Sequence, residues 1–228
     1  MGGATCAKLY RKQWHSHWGK ERHVSMAHDS WDRRFSEHGW SQDPDPSLVE
    51  LCQTVPPGDA IDLGCGPGRN AIWLARHGFH VVGVDTSVVG LEQAAERAKA
   101  EGLALELVAA DIFEYEVPRE AFDLAVVANM HPGRDRLAAL LRSATDGLKP
   151  GGHLFVVGHH LDSLGHGGPP REDLLFNEDR LREALPSGLL VERLQTLERS
   201  RSDSGSLDTS RDVMLWARKG PRPLRDDE

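Results

Sequence analysis

The regular alternation of strand-length and helix-length segments between residues 60 and 219 constrains the fold of this chain most strongly. Short apolar runs bounded by turn residues predict buried strands, and the longer segments between them carry apolar residues at helical spacing. Strands that alternate with helices usually pair in parallel through crossover connections. The pattern therefore predicts an α/β fold, a doubly wound, mostly parallel seven-stranded sheet with helices on both faces.

The predicted elements follow one another closely. The strands are Ala60–Leu63, His80–Val84, Ala104–Val108, Phe122–Ala128, His153–Val157, Leu190–Leu197 and Val213–Ala217. The helices are Arg69–His77, Val88–Glu101, Arg134–Gly147 and Glu178–Leu185. A further short helix is expected over Trp31–Trp40, Ser47 is expected to cap a helix that ends near Cys52, and Lys149–Gly152 reads as a turn.

The ends of the chain lack this periodicity. We expect residues 1–30 to form a flexible or lid-like N-terminal extension, residues 31–219 to form one domain, and residues 220–228 to form a disordered tail. No apolar run is long enough for a membrane span, and the three cysteines form no metal-binding or disulfide pattern. The net charge of −8 argues against general nucleic-acid binding. We expect a cytoplasmic protein, monomer or homodimer, whose partner is a small molecule rather than a nucleic acid or a membrane.

A glycine-rich loop lies between the first predicted strand and its helix. Gly64, Gly66 and Gly68 allow a tight turn and the close approach of a ligand to bare backbone. Asp85 ends the next strand, where its carboxylate could accept hydrogen bonds from both hydroxyls of a ribose. After the third strand, Asp111 stands beside Ile112, which suits the amine and the ring of an adenine.

The order of the loop, with Asp62 two residues before the first glycine, resembles the class I S-adenosylmethionine (SAM)-dependent methyltransferases. A dinucleotide fingerprint would place its third glycine at Arg69. The resemblance covers roughly residues 30–219 and includes the L-K-P-G-G turn. Trp31-Asp32-x-x-Phe35 is also similar to the W-D-x-x-Y start of small bacterial methyltransferases of the tellurite-resistance and thiopurine-methyltransferase type, with Phe in place of Tyr.

The resemblance implies SAM as the cofactor and a set of residues that bind it. The glycine loop would contact its amino-acid part, and the acid at the end of the second strand would hold the ribose. The predicted cofactor-binding residues are Asp62, Gly64, Gly66, Gly68, Asp85, Thr86, Asp111, Ile112, Asn129, Arg34 and Trp40.

Histidines follow the fourth and fifth strands, whose ends should border the methyl group. His131 and His159 are the predicted catalytic residues, because an imidazole can take the proton of a hydroxyl acceptor near neutral pH. His160, Asp162 and His166 lie nearby, but their spacing matches no metal site, and no metal is predicted.

The predicted function is methyl transfer to a small polar acceptor, with an oxygen of a sugar or other hydroxyl compound favoured. Transfer to a thiol or a chalcogen such as tellurite is an alternative, and so is a SAM-binding module without catalysis. A nucleotide-dependent oxidoreductase disagrees with the glycine spacing. In a nucleic-acid methyltransferase, Asn129–Pro132 would need adjacent prolines and an aromatic residue that the sequence lacks.

Overall fold

The computed structural model describes residues 26–37, 39–166, 168–201 and 208–221. Its centre is a seven-stranded sheet in the order β3-β2-β1-β4-β5-β7-β6. Strands β1 to β5 pair in parallel, and β7 pairs antiparallel with both β5 and β6. The predicted α/β fold and its mostly parallel seven-stranded sheet are confirmed.

The strand bounds are β1 Asp59–Leu63, β2 His80–Asp85, β3 Leu105–Ala109, β4 Phe122–Ala128, β5 Leu148–His159, β6 Leu189–Arg201 and β7 Asp208–Lys219. The α-helices are α1 Met26–Glu37, α2 Pro46–Cys52, α3 Arg69–Arg76, α4 Val88–Ala100, α5 Arg134–Gly147 and α6 Glu178–Ala184. Two single-turn 3₁₀ helices, Leu161–Ser163 and Glu172–Leu174, lie between β5 and α6.

The core has two layers because successive side chains of a strand point to opposite faces of the sheet. On one face, Ile61 and Leu63 of β1 pack in a cluster that includes the apolar stripe of α5. On the other face, Ala60 joins a cluster that includes Leu48 of α2 and Leu74 of α3. Because β1 to β5 pair in parallel, their carboxyl ends lie at a common edge of the sheet, where the candidate site lies.

Three local predictions differ from the structure. The first helix spans Met26–Glu37, so it begins before Trp31 and ends before Trp40. The side chain of Asp45, rather than that of Ser47, caps α2 by accepting a hydrogen bond from the Ser47 amide. Residues 149–152 lie within β5, where an irregularity in the pairing with β4 absorbs the extra residues.

The predictions for residues 1–25 and 222–228 lie outside the described residues. Within the part that is described, none of the helices combines the length and the apolar character that a membrane crossing requires.

Candidate functional site

The loop from Gly64 to Gly68 connects β1 to α3 at the carboxyl edge of the sheet. All three predicted glycines have positive φ angles, +78° at Gly64, +51° at Gly66 and +78° at Gly68. A Cβ atom at Gly64 would overlap the side chain of Met130, and one at Gly66 would lie 3.0 Å from the Phe35 ring. Only glycine satisfies both the backbone angles and this space, so the loop presents bare backbone.

Two buried carboxylates flank the loop. Asp85, the last residue of β2, accepts hydrogen bonds from the Gly66 amide and the Ser87 amide, both at 2.7 Å. Burial raises the pKa of Asp85 despite these bonds. Asp62 of β1 is 1% exposed, and its Oδ2 has no hydrogen-bond partner. Burial raises the pKa of Asp62 to about 7, more than the nearby Arg69 charge lowers it.

An unpartnered carboxylate oxygen in a buried position is costly, and a donor from a ligand would satisfy it. SAM carries an ammonium group and two ribose hydroxyls, which are donors of the kind that Asp62 Oδ2 lacks. The residues at this edge therefore fit the cofactor that the sequence implies.

Asp111 and its neighbours lie next to Asp85. The pairing of Asp85 with Ala109 places the segment after β3 beside the end of β2. Asp111 Oδ1 accepts a hydrogen bond of 2.9 Å from the Phe113 amide, and Ile112 is buried. Thr86 directly follows Asp85 along the chain and is half-buried. Thr86 and the segment 111–113 therefore share the β2–β3 part of the edge with Asp85.

Helix α1 packs against the glycine loop and the start of α4 through two residues. Asp32 Oδ1 accepts hydrogen bonds from Ser87 Oγ at 2.5 Å and from the Val89 amide at 3.2 Å, which ties α1 to the start of α4. Phe35 is buried against Gly66 and Gly90. Asp32 is not among the predicted site residues, although the W-D-x-x-F sequence could have indicated its contact with α4.

Arg34 and Trp40 both contact aromatic residues of α1. The Arg34 guanidinium lies 5.0 Å from the centre of the Trp31 ring. Trp40 is 45% exposed, packs edge-on against Phe35 and donates from Nε1 to the Arg34 carbonyl. Contact of Arg34 or Trp40 with a cofactor stays a prediction.

The two predicted catalytic histidines meet at the ends of β4 and β5. Their rings stack with centroids 5.3 Å apart and an angle of 7° between the planes. On its other side His131 contacts Phe176, at 5.0 Å between ring centroids. Asn129, two residues before His131, has a left-handed φ of 56°, and its amide donates to the Val157 carbonyl. The turn after β4 thereby brings His131 alongside β5.

The two imidazoles have different partners. His131 Nδ1 donates to the Leu174 carbonyl at 2.8 Å, which leaves Nε2 as a buried acceptor without a partner. Burial, reinforced by His159, lowers the pKa of His131 to about 4. His131 is therefore neutral at pH 7, and its ring binds a second proton only weakly.

His159 forms a pair with Asp212 of β7. His159 Nδ1 lies 3.1 Å from Asp212 Oδ1, and the other Asp212 oxygen accepts a hydrogen bond from Arg199 Nε at 3.0 Å. Burial alone would raise the pKa of Asp212, but the hydrogen bond to His159 and the Arg199 charge outweigh burial and lower it. A carboxylate on Nδ1 leaves Nε2 of His159 free to accept a proton. Sequence reasoning missed Asp212, Arg199 and Phe176, because no local pattern connects them to the histidines.

His160, which follows His159 along the chain, has a structural contact. His160 Nδ1 accepts a hydrogen bond from the Asp162 amide and so caps the 3₁₀ turn Leu161–Ser163. Over the residues that the structure describes, no group of three or more histidine, cysteine, aspartate or glutamate side chains is arranged to hold a metal ion.

Comparison with known proteins agrees with this geometry. A family model described as a methyltransferase domain matches residues 60–152, from β1 into the first part of β5. The matched range contains the glycine loop, Asp85, Asp111 and His131. It ends before His159 and Asp212.

Two curated relatives show how far the similarity reaches. A ribosomal RNA small subunit methyltransferase C from Alcanivorax borkumensis is 37% identical over 44% of this chain and 32% of its own length. Probable thiol methyltransferase 2 from Arabidopsis thaliana is 29% identical over 68% of this chain and 76% of its own length. The chain therefore spans about a third of the first relative and about three quarters of the second.

Solved structures share the fold over most of the chain. TehB from Haemophilus influenzae superimposes with a TM-score of 0.66 at 19% identity, covering 84% of this chain and 66% of TehB. The N-methyltransferase NodS from Bradyrhizobium japonicum, in complex with S-adenosylhomocysteine, gives a TM-score of 0.67 at 18% identity, covering 86% and 99% of the two chains. The methyltransferase description of the family model agrees with SAM, the cofactor that the sequence implies. Together with the glycine loop, the family model and the thiol methyltransferase relative support a class I SAM-dependent methyltransferase of the TehB and thiopurine-methyltransferase type, and the solved structures show that the fold is shared.

Proposed function

We propose that this protein methylates a hydroxyl oxygen of a small polar acceptor, with His159 as the base that takes the acceptor's proton. The observation that carries the proposal is the His159–Asp212 pair at the end of β5, 3.1 Å between Nδ1 and Oδ1. A hydroxyl holds its proton far above neutral pH, so its attack gains from a positioned base.

The cofactor side of the site would hold SAM through backbone and carboxylates. Gly64, Gly66 and Gly68 would receive the amino-acid part, Asp62 and Asp85 would accept its donors, and Asp111 with Ile112 would receive the adenine. When bound, SAM supplies a methyl group on a positively charged sulfur, which an acceptor atom in line with the bond can take.

The acceptor side would orient the substrate and hold its proton. As the acceptor oxygen bonds to the methyl carbon and the carbon–sulfur bond breaks, the hydroxyl proton goes to His159 Nε2. Asp212 stabilises the imidazolium that forms, and the Arg199 charge keeps Asp212 ionised. His131 is the weaker candidate, since a group with a pKa of about 4 attracts a proton poorly at pH 7. Its buried Nε2 is suited instead to accept a hydrogen bond from the substrate.

An acceptor screen with radiolabelled methyl groups on SAM tests the proposal. The panel contains catechol and methyl glucoside as hydroxyl acceptors, benzenethiol as a thiol, and tellurite. We expect the highest turnover with a hydroxyl compound. The His159→Ala variant should then lose about 10²–10⁴-fold in turnover while its affinity for S-adenosylhomocysteine stays unchanged.

The neighbouring histidine offers a matched control. His160→Gln alters a ring that caps a turn rather than one paired with Asp212, so its turnover should stay close to that of the native protein. Full activity of a folded His159→Ala variant on the best hydroxyl acceptor would show that His159 is not the base.

Methylation of a thiol or a chalcogen is the second candidate. It is favoured by the similarity to a thiol methyltransferase over 68% of this chain. A thiol ionises near neutral pH and needs little help from a base. In the same screen this function would give the highest turnover with benzenethiol or tellurite and only a small effect of His159→Ala.

A SAM-binding module without catalysis would bind S-adenosylhomocysteine and label no acceptor in the panel. The expected partner remains a small molecule, with no nucleic acid or membrane. A cytoplasmic location, as monomer or homodimer, also remains a proposal. The net charge of −8 agrees with the proposed absence of a nucleic-acid partner.

A further inference from the structure

Arg199 of β6 connects two carboxylates that belong to different parts of the fold. Its Nε donates to Asp212 Oδ2 at 3.0 Å, and its Nη2 donates to Asp45 Oδ2 at 2.7 Å. The side chain of Arg199 is 22% exposed, and those of Asp212 and Asp45 are 10% and 6% exposed. The guanidinium thus lies between Asp212, which contacts the proposed base, and Asp45, the residue before α2.

Asp45 is itself held on two sides. Its Oδ1 caps α2 by accepting from the Ser47 amide, and its own amide donates to Asn70 Oδ1 at 2.9 Å. Asn70 is buried in the first turn of α3, two residues after Gly68. A continuous chain of hydrogen bonds therefore runs from the helix that follows the glycine loop to the His159 ring.

The chemistry of arginine makes this link specific. A guanidinium is planar and presents its donors in a fixed fork, so two nitrogens can serve two carboxylates only in one arrangement. Burial disfavours the charge of Arg199, but Asp45 and Asp212 outweigh burial and raise its pKa. Removing Arg199 would leave two buried carboxylates without their shared cation.

We propose that Arg199 is a positioning residue for methyl transfer: fixed by Asp45, it holds the Asp212 carboxylate and, through it, the His159 ring in the orientation that takes the acceptor's proton. The inference rests on the proposed function, because it assigns to Arg199 a part in proton uptake by His159. No contact of Arg199 with the cofactor or the acceptor is required.

The side chains around His159 come from three elements of the fold. The groups that face it are Asp212 from β7, Arg199 from β6 and His131 after β4, with Asp45 behind Arg199. Arg199 therefore acts on the His159 ring through Asp212, to which its Nε donates a hydrogen bond.

The test compares two arginines of the same strand. Arg199→Gln removes the shared cation, whereas Arg193→Gln removes a surface bond from β6 to Glu50 of α2 that does not involve Asp212. With the better of catechol and methyl glucoside as acceptor, Arg199→Gln should lower kcat by roughly 10- to 100-fold with an unchanged KM for SAM. Arg193→Gln should change neither quantity, and Arg199→Lys should restore part of kcat by returning the charge.

An NMR measurement on the resting protein separates the two proposals. The Nδ1 proton of His159 should give a signal protected from exchange by Asp212, and this signal should broaden or shift in Arg199→Gln but not in Arg193→Gln. An unchanged signal, or equal kcat in the two variants, overturns the role of Arg199. If Arg199→Gln fails to fold, Arg199→Lys carries the same comparison, since one ammonium cannot reproduce the fork. Failure of the proposed function would instead appear as full turnover in His159→Ala.

Discussion

The cofactor side and the acceptor side of the site are built in different ways. On the cofactor side, the glycine loop and Asp85 interact largely through backbone atoms, and the residues are close along the chain. On the acceptor side, side chains that are far apart along the chain meet, as His159 and Asp212 do across 53 positions. The comparison indicates that the proposed cofactor side is built by local backbone geometry, whereas the proposed acceptor side is built by tertiary contacts.

The first prediction tests whether the cofactor side depends on backbone space. Gly66→Val places a branched side chain at a φ of +51° and against Phe35. We expect calorimetry to show a loss of more than about 4 kcal/mol in S-adenosylhomocysteine binding, which amounts to abolished binding.

Gly102→Val is its control, because Gly102 also has a positive φ, +68°, but a Cβ there would meet no atom within 4 Å. Both variants should lose stability through backbone strain, and only Gly66→Val should lose the ligand. Retained binding in Gly66→Val would mean that the loop does not approach the cofactor.

The second prediction uses two buried groups, one on each side, whose pKa values are shifted in opposite directions. In the folded chain the pKa of Asp62 is raised from 3.8 to about 7, so the folded state holds this proton more tightly, and Asp62 lowers stability as pH rises from 4 to 7. Asp62→Asn removes this effect. In urea unfolding at several pH values, the variant should gain about 3 kcal/mol relative to the native protein between pH 4 and pH 7.

His131 provides the counterpart with the reverse sign. Its pKa of about 4 lies below that of an unfolded histidine, so its contribution to stability is present above about pH 6.5 and is lost as pH falls towards 4. His131→Gln should therefore gain stability relative to the native protein on acidification. Parallel stability curves for the native protein and Asp62→Asn would contradict the buried titration.

The third and smallest effect concerns the charge at the end of β2. Asp85→Ala should weaken S-adenosylhomocysteine binding by about 1–3 kcal/mol, because charge-assisted hydrogen bonds to the ribose would be lost. Asp59→Ala, at the start of β1 and in contact with Lys149, should bind normally. Equal affinity of a folded Asp85→Ala variant and the native protein would show that another residue holds the ribose.

The contrast between the two sides also explains what the sequence could predict. The glycines, Asp62 and Asp85 lie within 24 positions of one another, next to strands whose apolar character is clear, so their juxtaposition follows from the fold class. Strand ends also placed His131 and His159 at one edge. The bounds of α1 are harder to predict, since Met26–Ser30 lies before the aromatic pattern that indicates the helix.

The partners of the histidines could not be found in this way. Asp212 reaches His159 only because β7 runs antiparallel to β5 in a register that pairs these two residues. Asp45 and Arg199 meet across 154 positions through the packing of a short helix on the sheet. A register and a packing contact are set by the whole core, and no single segment carries their signal.

The length of β6 has a consequence for the behaviour of the protein at high concentration. This strand forms one edge of the sheet over 13 residues, and an edge of that length is a template on which further chains could add strands and aggregate. The register shift between Val191 and Arg193 interrupts the regular ladder, and Glu192, Arg193 and Glu198 place charges along it. The strand that carries Arg199 to the acceptor side is thereby kept long without offering an uninterrupted, uncharged edge for assembly into fibrils.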